Sequence, residues 1–226
     1  NLHFKQLFSI LEQLKSKAAG KCFHLSYGLV LLPEGKMKSR EGNVVDADNI
    51  LDEVVNLAKD ELSSRNRGVN EEKSSQIGIG ALKFYLLKVD PVKDITYNPK
   101  ESISFVGETS PYIQYSHARI CSILKQTKLP KKTDYSLLYL PQEVELALIL
   151  SRFPEVIEEA SKNYKPSIIA NYLLDVTKSF NKFYDSINIL KAEPKIRDAR
   201  LSLILSAKQV ISTGLYLLGI ESLEEM

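Results

Sequence analysis

The sequence predicts a mainly α-helical protein whose second half folds as an antiparallel helical bundle. Three observations carry this expectation. Apolar residues recur at helical spacing through much of the chain. Beyond residue 112 the stripes cover roughly 112–127, 142–160, 166–190 and 195–218, enough for four helices sharing one core. Pro130, Pro141, Pro166 and Pro194 fall at the starts of these segments or in the gaps between them, where a proline removes no helical hydrogen bond.

The first half is more varied. Phe4, Leu7, Phe8, Leu11 and Leu14 make an amphipathic helix ending near Gly20. The period then changes to two: Phe23, Leu25, Tyr27, Leu29 and Leu31 alternate with other residues, a strand pattern that stops at Pro33. After Val44-Val45, Asp46 or Asp48 caps a helix with the stripe Ile50, Leu51, Val54, Leu57, Ala58 and Leu62. The polar stretch Ser63–Ser74 reads as a loop, and Ile77-Gly78-Ile79-Gly80-Ala81-Leu82 runs into a short helix through Leu87. Its two glycines allow close approach of a neighbour but form no phosphate-binding fingerprint. Residues 91–111 contain three prolines and one short extended run, Ile103 to Val106. The domain boundary is placed there, giving units 1–105 and 106–226.

Composition narrows the class. With 226 residues, 44% hydrophobic and 26% charged, the chain is ordinary for a soluble globular protein. No apolar run reaches the roughly 18 residues of a membrane span. The start has no signal-peptide order and reads as a cut inside a larger protein. Net charge is +2, and residues 1–105 and 106–226 each hold 15 basic and 14 acidic side chains. Charge therefore gives no nucleic-acid signature. Cys22 and Cys121 fit no metal-ligand spacing and read as buried thiols of a reducing compartment. His24 and His117 lack a triad context, and His117 reads as making a packing hydrogen bond rather than binding metal; no metal site is expected. Glu143/Glu145 and Glu158/Glu159 read as solvated helix faces.

The segment 23–43 is the most informative. Gly35-Lys36-Met37-Lys38-Ser39-Arg40-Glu41-Gly42-Asn43 places three cations on a glycine-flanked loop after a strand, where open α/β sheets bind ligands. Cations there suit polyphosphate. A solvated basic turn is the competing reading, and spacing alone leaves both open.

Leu32 to Val45 resembles the "KMSKS" loop of class I aminoacyl-tRNA synthetases in the form found in arginyl enzymes. The resemblance continues through Ile77–Ala81, Phe105-Val106-Gly107-Glu108-Thr109-Ser110-Pro111-Tyr112-Ile113-Gln114-Tyr115-Ser116-His117-Ala118-Arg119, Phe180–Tyr184, Arg197–Leu201, Leu217–Ile220 and Met226. The blocks stand in family order over nearly the whole chain. The implied fold is a remnant of a class I, Rossmann-type catalytic domain followed by an α-helical anticodon-binding domain, whose D-A-L-R-like motif is answered by Asp198-Ala199-Arg200-Leu201.

The resemblance implies roles as well as a fold. Lys36 would be catalytic, closing with Met37, Lys38, Ser39 and Arg40 over ATP and its Mg²⁺. Ser39 departs from the lysine of the general motif, so a cation from elsewhere is implied. Tyr27, Gly28, Leu29 and Val30 would line the adenosine pocket. Tyr112, Tyr115, Tyr184 and Met226 would bind anticodon bases of tRNA(Arg), in keeping with how single-stranded RNA is read. Tyr115 and Tyr184 fit core stripes equally well, and Arg197 and Arg200 suit an internal salt bridge as readily as a phosphate. The implied parent is a monomeric cytoplasmic arginine–tRNA ligase, not associated with a membrane. Because no H-I-G-H-like segment is present, the chain alone is expected not to activate arginine. The rival readings are a freestanding RNA-binding module and a helical protein-interaction domain.

Overall fold

The computed structural model describes residues 2–31, 46–65, 70–130 and 132–226. In chain order its elements are α1 (Leu2–Gln13), β1 (Val30–Leu31), α2 (Ala47–Ser64), α3 (Glu71–Leu87), β2 (Ile95–Thr96), α4 (Pro99–Ser102), α5 (Ser110–Lys125), α6 (Pro141–Ser151), α7 (Phe153–Asn163), α8 (Pro166–Ser186) and α9 (Pro194–Leu217), with a 3-10 turn at Tyr135–Leu137. The architecture is mainly α, as expected, with a two-stranded parallel sheet.

Local chemistry sets the helix starts. Asp46 caps α2 by accepting from the Asp48 N–H, and Asn70 does the same for Glu72 at α3. Helix α3 therefore begins inside the stretch read as a loop, and both glycines of 77–82 lie within it. Gly78 is where α2 and α3 touch: a Cβ there would lie 2.6 Å from the Val54 carbonyl oxygen. Six helices carry proline in the first turn, α4 through α9.

The expected helix 142–160 is two helices. Pro154 lacks the N–H for a continuing ladder and its ring clashes with the carbonyl one turn back, so the chain breaks at Arg152 and restarts as α7. Helix α7 ends at Tyr164, which takes the left-handed conformation at φ 54°. The main core forms around α8 and α9, where Leu173, Phe180, Phe183, Leu201, Ile204 and Ile211 are fully buried, with α5, α6 and α7 packed on α8. A second cluster joins Ala58, Leu62, Ile77 and Ala81 to Ile103, Phe105 and Leu223, with Tyr115 and Met226 against it.

The expected strand is shorter than its alternating pattern. Only Val30–Leu31 pairs, in parallel with Ile95–Thr96, an element absent from the sequence reading. Upstream, Phe23, Leu25 and Tyr27 remain exposed. Ile103–Val106 is not extended either; Ile103 closes α4 and the following residues bend into α5. Cys121 is buried as expected, but Cys22 is exposed, because it lies in this thinly covered N-terminal stretch. Among the described residues no helix is long and apolar enough to cross a membrane.

Candidate functional site

Helices α5 and α8 and the C-terminal tail enclose a cleft of about 810 Å³, within the range of ligand-binding pockets. Tyr115, Arg119, Tyr184 and Met226 all line it, together with Lys73, Lys125, Glu224 and Glu225. The Arg119 guanidinium carbon lies 5.0 Å from the Tyr115 ring and 4.9 Å from the Tyr184 ring, so one cation bridges two aromatic faces. Tyr115 meets Phe105 edge-on at 6.3 Å, whereas Tyr184 keeps 38% of its surface exposed. The cleft thus joins accessible π-surface, a cation and the apolar Met226 flank.

Charge around it is uneven. Lys125 pairs with Glu225 at 2.7 Å and stands 3.9 Å from Glu224, whose other partner is Lys208 at 3.0 Å. The hydrogen bond from Lys125 holds the Glu225 carboxyl below its ordinary range and raises the Lys125 ammonium. Arg119 has no carboxylate partner among the described residues; its one hydrogen bond runs from Nη1 to the neutral Asn181 Oδ1 at 3.2 Å. That leaves most of its five donors for an acceptor-rich ligand.

Tyr112 stands apart from the other three expected residues. It packs against the main core, and its hydroxyl accepts from Asn181 Nδ2 at 2.9 Å. Sequence reasoning missed Arg119 as a lining residue, although its i, i+4 spacing from Tyr115 was a usable signal.

The tail that brings Met226 to the cleft is firmly held. Gln114 Nε2 donates to the Glu221 carbonyl at 2.8 Å, and His117 Nδ1 lies 2.8 Å from the Leu223 carbonyl, which makes Nδ1 the protonated nitrogen. His117 is buried, and burial pushes its pKa below the ordinary histidine value. It makes a packing hydrogen bond, as expected. Arg200 makes an internal salt bridge: its Nε lies 2.7 Å from Glu143 Oε1, and Nη1 donates to the Asn188 carbonyl at 3.0 Å. Glu143 corrects the solvated-face reading, being fully buried and also accepting from the Leu140 N–H at 2.9 Å. Glu145 instead pairs with Lys182 at the surface.

At the other end of the molecule, the segment 91–97 engages one edge of the expected adenosine strand. Gly28 N donates to the Pro91 carbonyl at 2.7 Å and Leu29 N to Asp94 Oδ1 at 2.7 Å, while the Leu29 and Leu31 carbonyls accept from Ile95 and Tyr97. Strand alternation turns the Val30 N–H and C=O to the opposite edge. Of Tyr27, Gly28, Leu29 and Val30, Val30 therefore has the backbone edge pointing away from β2, and the Tyr27 ring is 84% exposed. A Cβ on Gly28 would lie 2.1 Å from the Lys93 carbonyl oxygen, so the close approach requires glycine. Lys36, Met37, Lys38, Ser39 and Arg40 lie outside the described residues.

Comparison with known proteins agrees with this layout. Residues 113–226 match the DALR anticodon binding domain, and residues 1–98 match tRNA synthetases class I (R), catalytic domain. The chain is 43% identical to an arginine–tRNA ligase of Flavobacterium psychrophilum over 99% of its own length and 38% of that protein's. With the arginine–tRNA ligase of Parabacteroides distasonis identity is 40%, over 100% of this chain and 40% of the relative. It superposes on the Thermus thermophilus arginyl-tRNA synthetase with a TM-score of 0.85 and 35% identity, over 92% of this chain and 36% of that one. The chain thus spans about two fifths of the length of these relatives. It belongs to the arginyl family of class I tRNA synthetases, and residues 113–226 are its DALR anticodon binding domain.

Proposed function

We propose that the chain is part of an arginine–tRNA ligase, which converts ATP, arginine and tRNA(Arg) to arginyl-tRNA, AMP and pyrophosphate with Mg²⁺ on the nucleotide. The cleft at Tyr115, Arg119, Tyr184 and Met226 is its anticodon-loop site, and the juxtaposition of these four side chains is the observation that carries the reading. An unstacked base lies on the accessible Tyr184 ring, with Arg119 offering N–H donors and Met226 an apolar wall. Tyr112 supports the site from behind rather than touching the base.

The N-terminal part serves the nucleotide. The free edge of Val30 meets the adenine, as the family resemblance of 27–30 implies, and Lys36, with Met37, Lys38, Ser39 and Arg40, closes over the phosphates. Lys36 stabilises the charge that develops as pyrophosphate leaves. We place the boundary between the two functions at 105/106, a position supported by family matches that end at residue 98 and resume at 113. The ligase works as a cytoplasmic monomer, and this chain alone does not activate arginine.

Base stacking on an aromatic side chain contributes about 1–3 kcal/mol. Tyr184→Ala is therefore expected to weaken binding of tRNA(Arg) by that amount and to narrow its preference over a tRNA of another anticodon. Unchanged discrimination in a filter-binding titration would sink the assignment.

A further inference from the structure

The α5–α8 interface next to the cleft contains a hydrogen-bonded hub centred on Asn181, which does not itself line the cleft. Asn181 Nδ2 donates to the Tyr112 hydroxyl at 2.9 Å and to Ser116 Oγ at 3.1 Å, while Asn181 Oδ1 accepts from Arg119 Nη1 at 3.2 Å. Tyr112, Ser116 and Arg119 lie on one face of α5, and Asn181 precedes Tyr184 by one turn of α8. The amide thus has both ends engaged, which fixes which way it faces and which way it presents its carbonyl oxygen.

We infer that Asn181 is the positioning residue of the cleft: it holds the Arg119 guanidinium in the one orientation that lies between Tyr115 and Tyr184. Three facts bear on this. Arg119 has no carboxylate partner among the described residues, so Asn181 supplies its sole hydrogen bond there. A neutral acceptor leaves the cation's charge uncancelled, as an acceptor-rich ligand requires and an aspartate would not allow. A long arginine side chain otherwise loses considerable rotamer freedom on binding, and fixing it beforehand removes that loss from the binding step. The donor-only guanidinium selects the amide orientation with Oδ1 toward it, and the Tyr112 and Ser116 hydroxyls anchor the NH₂ end on the other side. This explains how Tyr112 serves a cleft it does not line.

The inference rests on the anticodon-loop reading of the cleft, and a double-mutant cycle separates the two. An RNA hairpin with the arginine anticodon loop is titrated onto the intact chain and onto Asn181→Leu, Arg119→Gln and the double variant, each checked for an unchanged thermal midpoint. Arg119→Gln and Asn181→Leu are each expected to weaken binding about tenfold, and the double variant no further than Arg119→Gln alone. Additive losses, or no loss from Asn181→Leu while Arg119→Gln weakens binding, would overturn the positioning role and leave the cleft standing. No loss from Arg119→Gln would remove the cation from base recognition, and the positioning role with it. If Asn181→Leu does not fold, Ser116→Ala with Tyr112→Phe tests the same point: the pair is expected to weaken binding in the wild-type background and to have no effect beside Arg119→Gln. An effect of equal size in both backgrounds refutes the inference.

Discussion

Helices α8 and α1 both carry apolar residues at helical spacing, yet eleven of the 21 residues of α8 are buried and none of the 12 in α1. Helix α8 is surrounded by α5, α6, α7 and α9, whereas α1 meets its neighbours chiefly through local contacts such as the Phe4–His24 stack at 3.9 Å. The difference teaches that a stripe fixes the orientation of a helix once a partner exists, and stability comes from the partner. The same holds for the alternating stretch 23–31, of which only Val30–Leu31 pairs with a neighbouring strand.

The contrast can be pressed hardest at the buried ion pair beside α9. Arg200→Ala leaves the Glu143 carboxylate enclosed without its cation and is expected to lower stability by about 3–5 kcal/mol, read by urea unfolding; replacing both residues with apolar ones of similar volume should recover most of it. Next comes a leucine of α8 against one just past the end of α1. Leu173→Ala, in the core, should lose about 2–5 kcal/mol. Leu14→Ala, 72% exposed just after α1, should change stability by no more than about 0.5 kcal/mol. Similar losses at both positions would show that α1 is covered after all.

A further variant probes a place where the N-terminal stretch is tightly seated. Gly28→Ala drives a methyl group into the Lys93 carbonyl and should cost about 1–3 kcal/mol locally. Hydrogen exchange at the Ile95 and Tyr97 amides, which bond to Leu29 and Leu31, reads this directly. The smallest effect is a pH dependence confined to the helical half. Burial holds the folded His117 pKa below its ordinary value of 6.5, with Lys208 acting in the same direction and the Leu223 carbonyl and Glu224 opposing. Below that pH the unfolded chain takes up a proton that the folded chain refuses, so stability is complete above 6.5 and declines as pH falls. His117→Gln should flatten the decline in thermal midpoints between pH 7 and 5.

The bundle was legible in the sequence because helix periodicity and proline placement are local signals. The split at Arg152 was legible too in principle, since Pro154 stood in the middle of the supposed helix. Glu143 was not, because what turns a helix-face carboxylate into a core residue is an arginine 57 positions away. Tyr115, Tyr184 and Met226 were named from resemblance, but no spacing rule brings residues of α5, α8 and the tail to one cleft. Arg119 and Asn181 stay hidden for the complementary reason: each lies within a block that resembles the family, and only packing gives them a shared task.

The parallel pairing of β1 with β2 has a kinetic consequence. Leu29 and Asp94, which bond across it, are 65 residues apart in the chain. A contact of such long range carries a large loop-closure entropy and gains little from two residue pairs, so it cannot form before α2 and α3 have docked and shortened the effective loop. The β1–β2 pair is then the last element to assemble and the first to open, and its amides should exchange ahead of those in α8 by orders of magnitude.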